Sequence, residues 1–192
     1  MDLISQAVRV LQRDGLVVYP TETIYGLGGD ALSENAIQKV YEAKQRPLSQ
    51  PISVAVSDRD MLGAIAVVPA DAEEFLERFL PGPVTVVLKA KSYLPSILTG
   101  GTDMIGIRIP AHETALSIIS AFDGPITATS ANFHGEKDPV VPGDVHVPHD
   151  LLIDGGRLPG TPSTVVDLVN RRVLRAGAKI EEVTAFLTIM GR

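Results

Sequence analysis

Not one cysteine occurs in the 192 residues, so disulfides, thiolate metal sites and a cysteine nucleophile are all excluded. Tryptophan is absent too, and four tyrosines with five phenylalanines are a poor supply for stacking many bases. Basic residues are outnumbered, 17 Lys+Arg against 23 Asp+Glu, for a formal net charge of −6. A protein built mainly to grip a phosphate backbone would carry the opposite balance. No stretch of about 18 apolar residues occurs, so no membrane span is expected. The start, Met1-Asp2-Leu3-Ile4-Ser5, has no basic region ahead of an apolar core, so no secretory signal is expected there. The cytoplasm is the expected compartment.

Familiar chemical signatures are missing as well. No G-x-x-x-x-G-K-[ST] is present; Gly155 to Thr161 has the glycine spacing without the lysine. No G-x-G-x-x-G follows a strand, and there is no G-x-S-x-G elbow. His146 and His149 sit in a proline-rich loop with no third ligand in view, which favours exposed loop histidines over a zinc pair.

What is there is an ordinary globular balance, 45% hydrophobic and 21% charged, over a length that suits one well-buried domain spanning 1–192. Leu3, Ile4, Ala7, Val8 and Leu11 recur at helical spacing and predict a helix ending near Gly15. Gly15 to Tyr19 reads as a short buried strand that runs into a polar Thr21-Glu22-Thr23 group and a glycine-rich turn. Ser33 is a candidate N-cap for a helix carrying Ala36, Ile37, Val40 and Tyr41. Further strands are predicted at Ile52 to Val56, Val84 to Leu88, Ile105 to Ile109, Ile126 to Thr129, Leu151 to Ile153, Thr164 to Val169 and Arg172 to Leu174. Helices are expected around Phe75 to Leu80, Thr114 to Ala121 and Ile180 to Met190. The mixture predicts an α/β fold with a mixed, partly antiparallel sheet and flanking helices. Residues Phe133 to Asp150, with three prolines and two glycines, read as a functional loop or a mobile flap.

Polar groups gather at the strand ends. Lys44-Gln45-Arg46-Pro47 follows a helix; its two cations either reach one anionic ligand or are solvated charges favoured by the helix C-terminus. Arg108 lies within apolar Ile105 to Ile109, facing solvent or buried against a partner or ligand, with Gly106 leaving room on the same face. Thr127-Ala128-Thr129-Ser130-Ala131-Asn132 offers hydroxyls and space, or else a turn capped by Asn132. Pro162-Ser163-Thr164 repeats the pattern ahead of another strand, and Arg175-Ala176-Gly177 closes a hairpin. If Lys44, Arg46, Arg108 and Arg175 converge, they make a local positive cleft on an acidic protein, suited to a nucleoside triphosphate.

With these residues in view, the chain resembles the YrdC/TsaC family of L-threonylcarbamoyladenylate synthases. The resemblance runs from about Leu3 to Gly177, in the short form without an added C-terminal domain. It is carried by the ordered set Pro20-Thr-Glu-Thr-Ile-Tyr-Gly-Leu-Gly28, Lys44-x-Arg-Pro47, Pro81-Gly-Pro-Val-Thr85, Arg108-x-Pro110, Ser130-Ala-Asn132, Ser163-Thr-Val-Val-Asp167 and Leu174-Arg-x-Gly177. It implies a twisted, open α/β sheet with a concave, positively charged cavity. It also implies formation of threonylcarbamoyl-AMP and pyrophosphate from L-threonine, bicarbonate or CO₂, and ATP, with Mg²⁺ travelling on the triphosphate. The product would pass to a tRNA threonylcarbamoyltransferase machinery making N6-threonylcarbamoyladenosine at position 37, with tRNA itself a possible partner. By similarity, Thr23, Arg108, Ala128 and Ser163 would hold threonine, and Lys44, Arg46, Gln50, Ser130 and Arg175 would contact ATP; no residue is assigned as catalytic and no metal ligand. Ala55, Met104 and Asp138 depart from the common pattern, where histidine, threonine and serine are frequent. Two other expectations stand beside it: an RNA-binding protein of the same fold, and a carbamoyl-adenylate domain like that of hydrogenase-maturation carbamoyltransferases, normally part of a much longer chain.

Overall fold

The structure is a computed structural model that describes residues 2–190. The opening apolar stripe forms α1 (Leu3–Leu11), capped by Asp2, whose Oδ1 accepts the Ser5 amide at 2.8 Å. It leads into β1 (Val17–Tyr19), which is buried throughout. Alternation explains that burial. Leu16 and Val18 face the larger hydrophobic core, while Val17 and Tyr19 face a second core with Ala7, Leu11, Ile118, Ile119 and Ile126.

The glycine-rich stretch after the Thr-Glu-Thr group is a strand and not a turn: β2 (Gly26–Gly28) pairs antiparallel with β1. Its glycines serve the Tyr19 ring, which packs where their side chains would be. A Cβ at Gly26 would lie 2.9 Å from Tyr19 Cζ, and one at Gly28 would lie 3.0 Å from Cε1. The Tyr19 hydroxyl, buried with its ring, donates to the Thr127 carbonyl at 3.1 Å.

Next comes α2 (Glu34–Lys44), and Ser33 caps it as expected, accepting the Ala36 amide. It is followed by β3 (Val54–Ala55), α3 (Arg59–Ile65) and β4 (Ala66–Val67). The last two were not legible in the sequence; α3 is short, and its cap is Asp58, which accepts the Met61 amide. The order continues with α4 (Glu73–Phe79), β5 (Val84–Ala90), β6 (Met104–Arg108), α5 (Glu113–Phe122), β7 (Ile126–Thr127), β8 (Thr129–Ser130), β9 (Leu151–Leu152), β10 (Thr164–Asp167), β11 (Arg172–Arg175) and α6 (Ile180–Met190). Phe75 and Phe79 of α4 meet Phe186 of α6 edge to face, both pairs at 5.7 Å between ring centres.

Among the described residues the strands form two mixed sheets, where the sequence suggested one. The smaller has the order β8-β2-β1-β9; the larger runs β11-β10-β5-β6-β3-β7, with β4 on the far part of β5. The expected single strand Ile126 to Thr129 is the link between them. It leaves the larger sheet after Thr127, where the Ala128 amide donates to the Ser53 carbonyl, and joins the smaller one at Thr129. The irregular segment 133–150 is stitched to the fold: the Tyr25 amide donates to the Pro139 carbonyl, the Leu158 amide to Val140, and Val147 is buried.

Candidate active site

Where the sheets face each other, a cleft of about 140 Å³ is lined by strand ends of both. The smaller sheet brings Thr21, Thr23 and Ser130. The larger brings Thr85, Arg108, Ser163 and Arg175, while Ala128 on the crossover and Arg46 after α2 complete the wall. Seven of the nine residues expected at a site therefore converge on it: Thr23, Arg46, Arg108, Ala128, Ser130, Ser163 and Arg175. Lys44 and Gln50 are not among the lining residues.

The three arginines are held differently. Arg108, at the end of β6 and only 7% exposed, donates to Glu22 Oε1 at 2.6 Å and to Thr23 Oγ1 at 3.2 Å. Its burial answers the choice left by the sequence: it faces inward, against a partner. Gly106 leaves room, as expected, but Ser53 takes it, since a Cβ there would lie 2.5 Å from Ser53 Oγ. Arg175 donates through Nε and an Nη to the Ser163 carbonyl and through the same Nη to Ser163 Oγ at 3.1 Å. Arg46 donates to the Gln50 and Pro51 carbonyls at 3.3 and 3.0 Å. Burial lowers the pKa of both Arg46 and Arg175 from its ordinary value, a desolvation that an incoming anion would offset.

Hydroxyls accept from two of these cations, Thr23 from Arg108 and Ser163 from Arg175. Thr21 Oγ1 donates its one proton to the Ile24 carbonyl at 2.7 Å, so the 2.8 Å contact with Thr23 takes its proton from Thr23. Thr23 then has lone pairs for Arg108 and for the cleft. Across the cavity, Thr85 Oγ1 and Ser163 Oγ are 2.8 Å apart and both buried. Thr21, from the polar group after β1, belongs to the wall, and so do Ser53 and Thr85, which the sequence did not single out for it. For Thr85 the signal was its place at the end of Pro81-Gly-Pro-Val-Thr85.

Lys44 and Arg46 diverge. Gln45 takes a left-handed conformation with φ 52° at the helix end, so the chain turns between the two cations. Lys44 is 1% exposed and donates to the Ser130 carbonyl at 2.5 Å, the Asn132 carbonyl at 2.8 Å and Asn132 Oδ1 at 3.0 Å. Burial pulls its pKa down to about 8, helped by Arg46 and opposed by Asp138. Asn132 is thus more than a turn cap, because it carries the lysine that braces Ser130. Gln50 contributes its carbonyl, which accepts from Arg46 and from the Tyr41 hydroxyl. None of Ala55, Met104 and Asp138 lines the cleft. His146 and His149 are exposed, and among the described residues no cluster of three or more His, Cys, Asp or Glu stands in metal-binding array.

The fold is thus a mixed α/β one whose two sheets share a cleft lined by arginines and hydroxyls. The family model described as Sua5_yciO_yrdC, telomere recombination, matches residues 9–177, and the chain belongs to that family. It is 42% identical over 163 residues to the threonylcarbamoyl-AMP synthase of Pyrococcus abyssi, covering 81% of this chain and 48% of that protein. It is 38% identical over 172 residues to the enzyme of the same name from Bacillus subtilis, covering 85% and 49%. The chain thus spans about half the length of these curated relatives. The crystal structure of P. abyssi Sua5 complexed with L-threonine superposes with a TM-score of 0.89 at 38% identity, over 94% of this chain and 56% of that one.

Proposed function

We propose that this chain is a threonylcarbamoyl-AMP synthase, acting as one catalytic unit on L-threonine, bicarbonate or CO₂, and MgATP. The observation that carries the reading is the convergence of Arg46, Arg108 and Arg175 with Thr23, Ser130 and Ser163 on one cleft. The name of its relatives and the threonine complex of P. abyssi Sua5 support the choice of substrates.

The amine of threonine adds to CO₂, losing a proton and forming an N–C bond. A carbamate oxygen then attacks the α-phosphorus of ATP, and pyrophosphate leaves as the α–β bridging bond breaks. The protein has little covalent work in such a sequence; it holds anions side by side and spreads their charge. In this reading Arg108, Thr23, Ser163 and Ala128 form the amino-acid end, and Arg46, Arg175 and Ser130 the nucleotide end. Lys44 acts from behind, bracing Ser130, and Gln50 positions Arg46 through its carbonyl. Magnesium enters as part of the substrate. The class is adenylyl transfer, the setting cytoplasmic, and the consumer a tRNA-modifying threonylcarbamoyl transferase. The RNA-binding alternative is not favoured, given the synthase names of the relatives and the net charge of −6.

The test is pyrophosphate release from ATP and bicarbonate, with and without L-threonine and with L-serine as control. Threonine-dependent release is expected; release that ignores threonine would remove the assignment.

A further inference from the structure

The hydroxyls of the cleft wall are unequally engaged. Those of Thr21, Thr23, Thr85, Ser130 and Ser163 each hydrogen-bond to protein. Those of Ser53 and Thr129 line the same cleft and bond to none of the described residues. Ser53 is set apart by what stands beside it. Gly106 is buried inside β6, where a glycine weakens a strand, and its φ is not positive, so the backbone path does not call for one. Space does. A Cβ at Gly106 would lie 2.5 Å from Ser53 Oγ and 3.2 Å from Ser53 Cβ, while the next neighbour, Thr85 Cγ2, is at an ordinary 3.4 Å. The glycine makes room for one hydroxyl, and that hydroxyl holds no part of the fold together.

Its position is fixed from two sides. β3 runs parallel to β6 with Val54 opposite Ile107, so Ser53 stands level with Gly106, on the face of the sheet that carries Arg108. The Ser53 carbonyl accepts the Ala128 amide at 2.7 Å, and Arg46 donates to the carbonyl of Pro51, two residues earlier, at 3.0 Å. The hydroxyl thus lies between Arg108 and Ala128 of the amino-acid end and Arg46 of the nucleotide end. In the reaction proposed above, that is where the carbamate oxygen meets the α-phosphorus.

We infer that Ser53 is a catalytic residue of this cleft, donating its hydroxyl proton to an α-phosphate oxygen of ATP where the carbamate attacks. The inference rests on the adenylyl-transfer reading. A hydroxyl with no protein acceptor has its one proton free for an anionic oxygen, and such a bond is of the strong, charge-assisted kind. It spreads the charge that grows on the α-phosphate oxygens as the new P–O bond forms and the bond to pyrophosphate breaks.

The experiment compares wild type, Ser53→Ala, Gly106→Ala and the double variant by thermal unfolding, by calorimetric titration with MgATP and with L-threonine, and by threonine-dependent pyrophosphate release. Ser53→Ala is expected to melt with wild type, since no protein bond is lost, and to show about tenfold weaker ATP binding and about tenfold lower kcat/KM for ATP, with threonine affinity unchanged. Gly106→Ala, which pushes the hydroxyl aside, should show the same ATP defect at a lower melting temperature. The double variant should regain most of that temperature and none of the activity. Wild-type ATP affinity and turnover in Ser53→Ala would overturn the inference. So would weaker threonine with ATP unchanged, or a Ser53→Ala variant that melts early or does not fold. Wild type that binds ATP but releases no pyrophosphate in response to threonine would remove the synthase reading instead. The ATP titration then still decides, an unchanged affinity in Ser53→Ala overturning the contact and a tenfold loss sustaining it. Wild type that binds no ATP would overturn both.

Discussion

Lys44 donates to Asn132 twice, to the backbone carbonyl at 2.8 Å and to Oδ1 at 3.0 Å, from a position almost wholly closed to solvent. Its third proton goes to the Ser130 carbonyl. A single cation on α2 thereby holds the bend after β8 that presents Ser130 to the cleft. Replacing it by methionine takes this donor from the Ser130 and Asn132 carbonyl oxygens, each costing about 1–3 kcal/mol, while Asn132 Oδ1 still accepts from Ser130 Oγ. Lys44→Met is expected to lose at least about 2 kcal/mol in urea unfolding, with Ser130-dependent ligand binding weakened as well. A loss under about 1 kcal/mol would show that the brace is not needed.

The same lysine imposes a pH dependence. Its folded pKa is about 8 against an ordinary 10.5, so between those values the unfolded chain binds the extra proton. Unfolding free energy then rises with pH across that window. The stability difference between wild type and Lys44→Met should widen from pH 8 to pH 10.5, by about 1.4 kcal/mol per unit at most. A difference that stays flat or shrinks over that range would contradict the depressed pKa.

Gly26 and Gly63 should respond oppositely to alanine. At Gly26 the new methyl would sit 2.9 Å from the buried Tyr19 ring, and overpacking of this kind costs about 1–3 kcal/mol. At Gly63, inside α3, nothing lies within 4 Å, and the helix gains about 0.5–1 kcal/mol. Thermal unfolding of the two variants gives both signs in one assay.

The arginines of the cleft should separate in stability as well as in ligand. Arg108→Ala strands the Glu22 carboxylate and is expected to cost about 3 kcal/mol while abolishing threonine binding. Arg46 has no ion-pair partner among the described residues, so Arg46→Ala should stay within about 1 kcal/mol of wild type and weaken ATP. Equal threonine and ATP affinities in both variants would sink the division of the cleft into two ends.

Local signals carried much of this. Periodicity placed most of the helices and strands, because one buried stripe or one alternating face repeats along the chain itself. Small and polar residues beside the strands, read together with the family resemblance, pointed to nine site residues, of which the cleft gathers seven. What failed was local information shared by two outcomes. Glycines at 26 and 28 suit a turn as well as a strand, until the Tyr19 ring across the pair decides. Lys44 and Arg46 look equivalent in sequence, until the left-handed Gln45 sends one inward to carbonyls and the other to the cleft.

The amino-acid sequence alone determined the exclusions and most of the elements: no thiol chemistry, no apolar span, an acidic α/β chain with cations beside its strands. Tertiary structure decided which of these residues meet. Glu22 and Arg108 are 86 positions apart, and Thr85 and Ser163 are 78 apart. Such pairs follow from sheet order and register, and those are set by burying β1 on both faces and by a crossover that passes from one sheet to the other at Ala128. Burial is a property of the whole packed chain, so no window of sequence contains it.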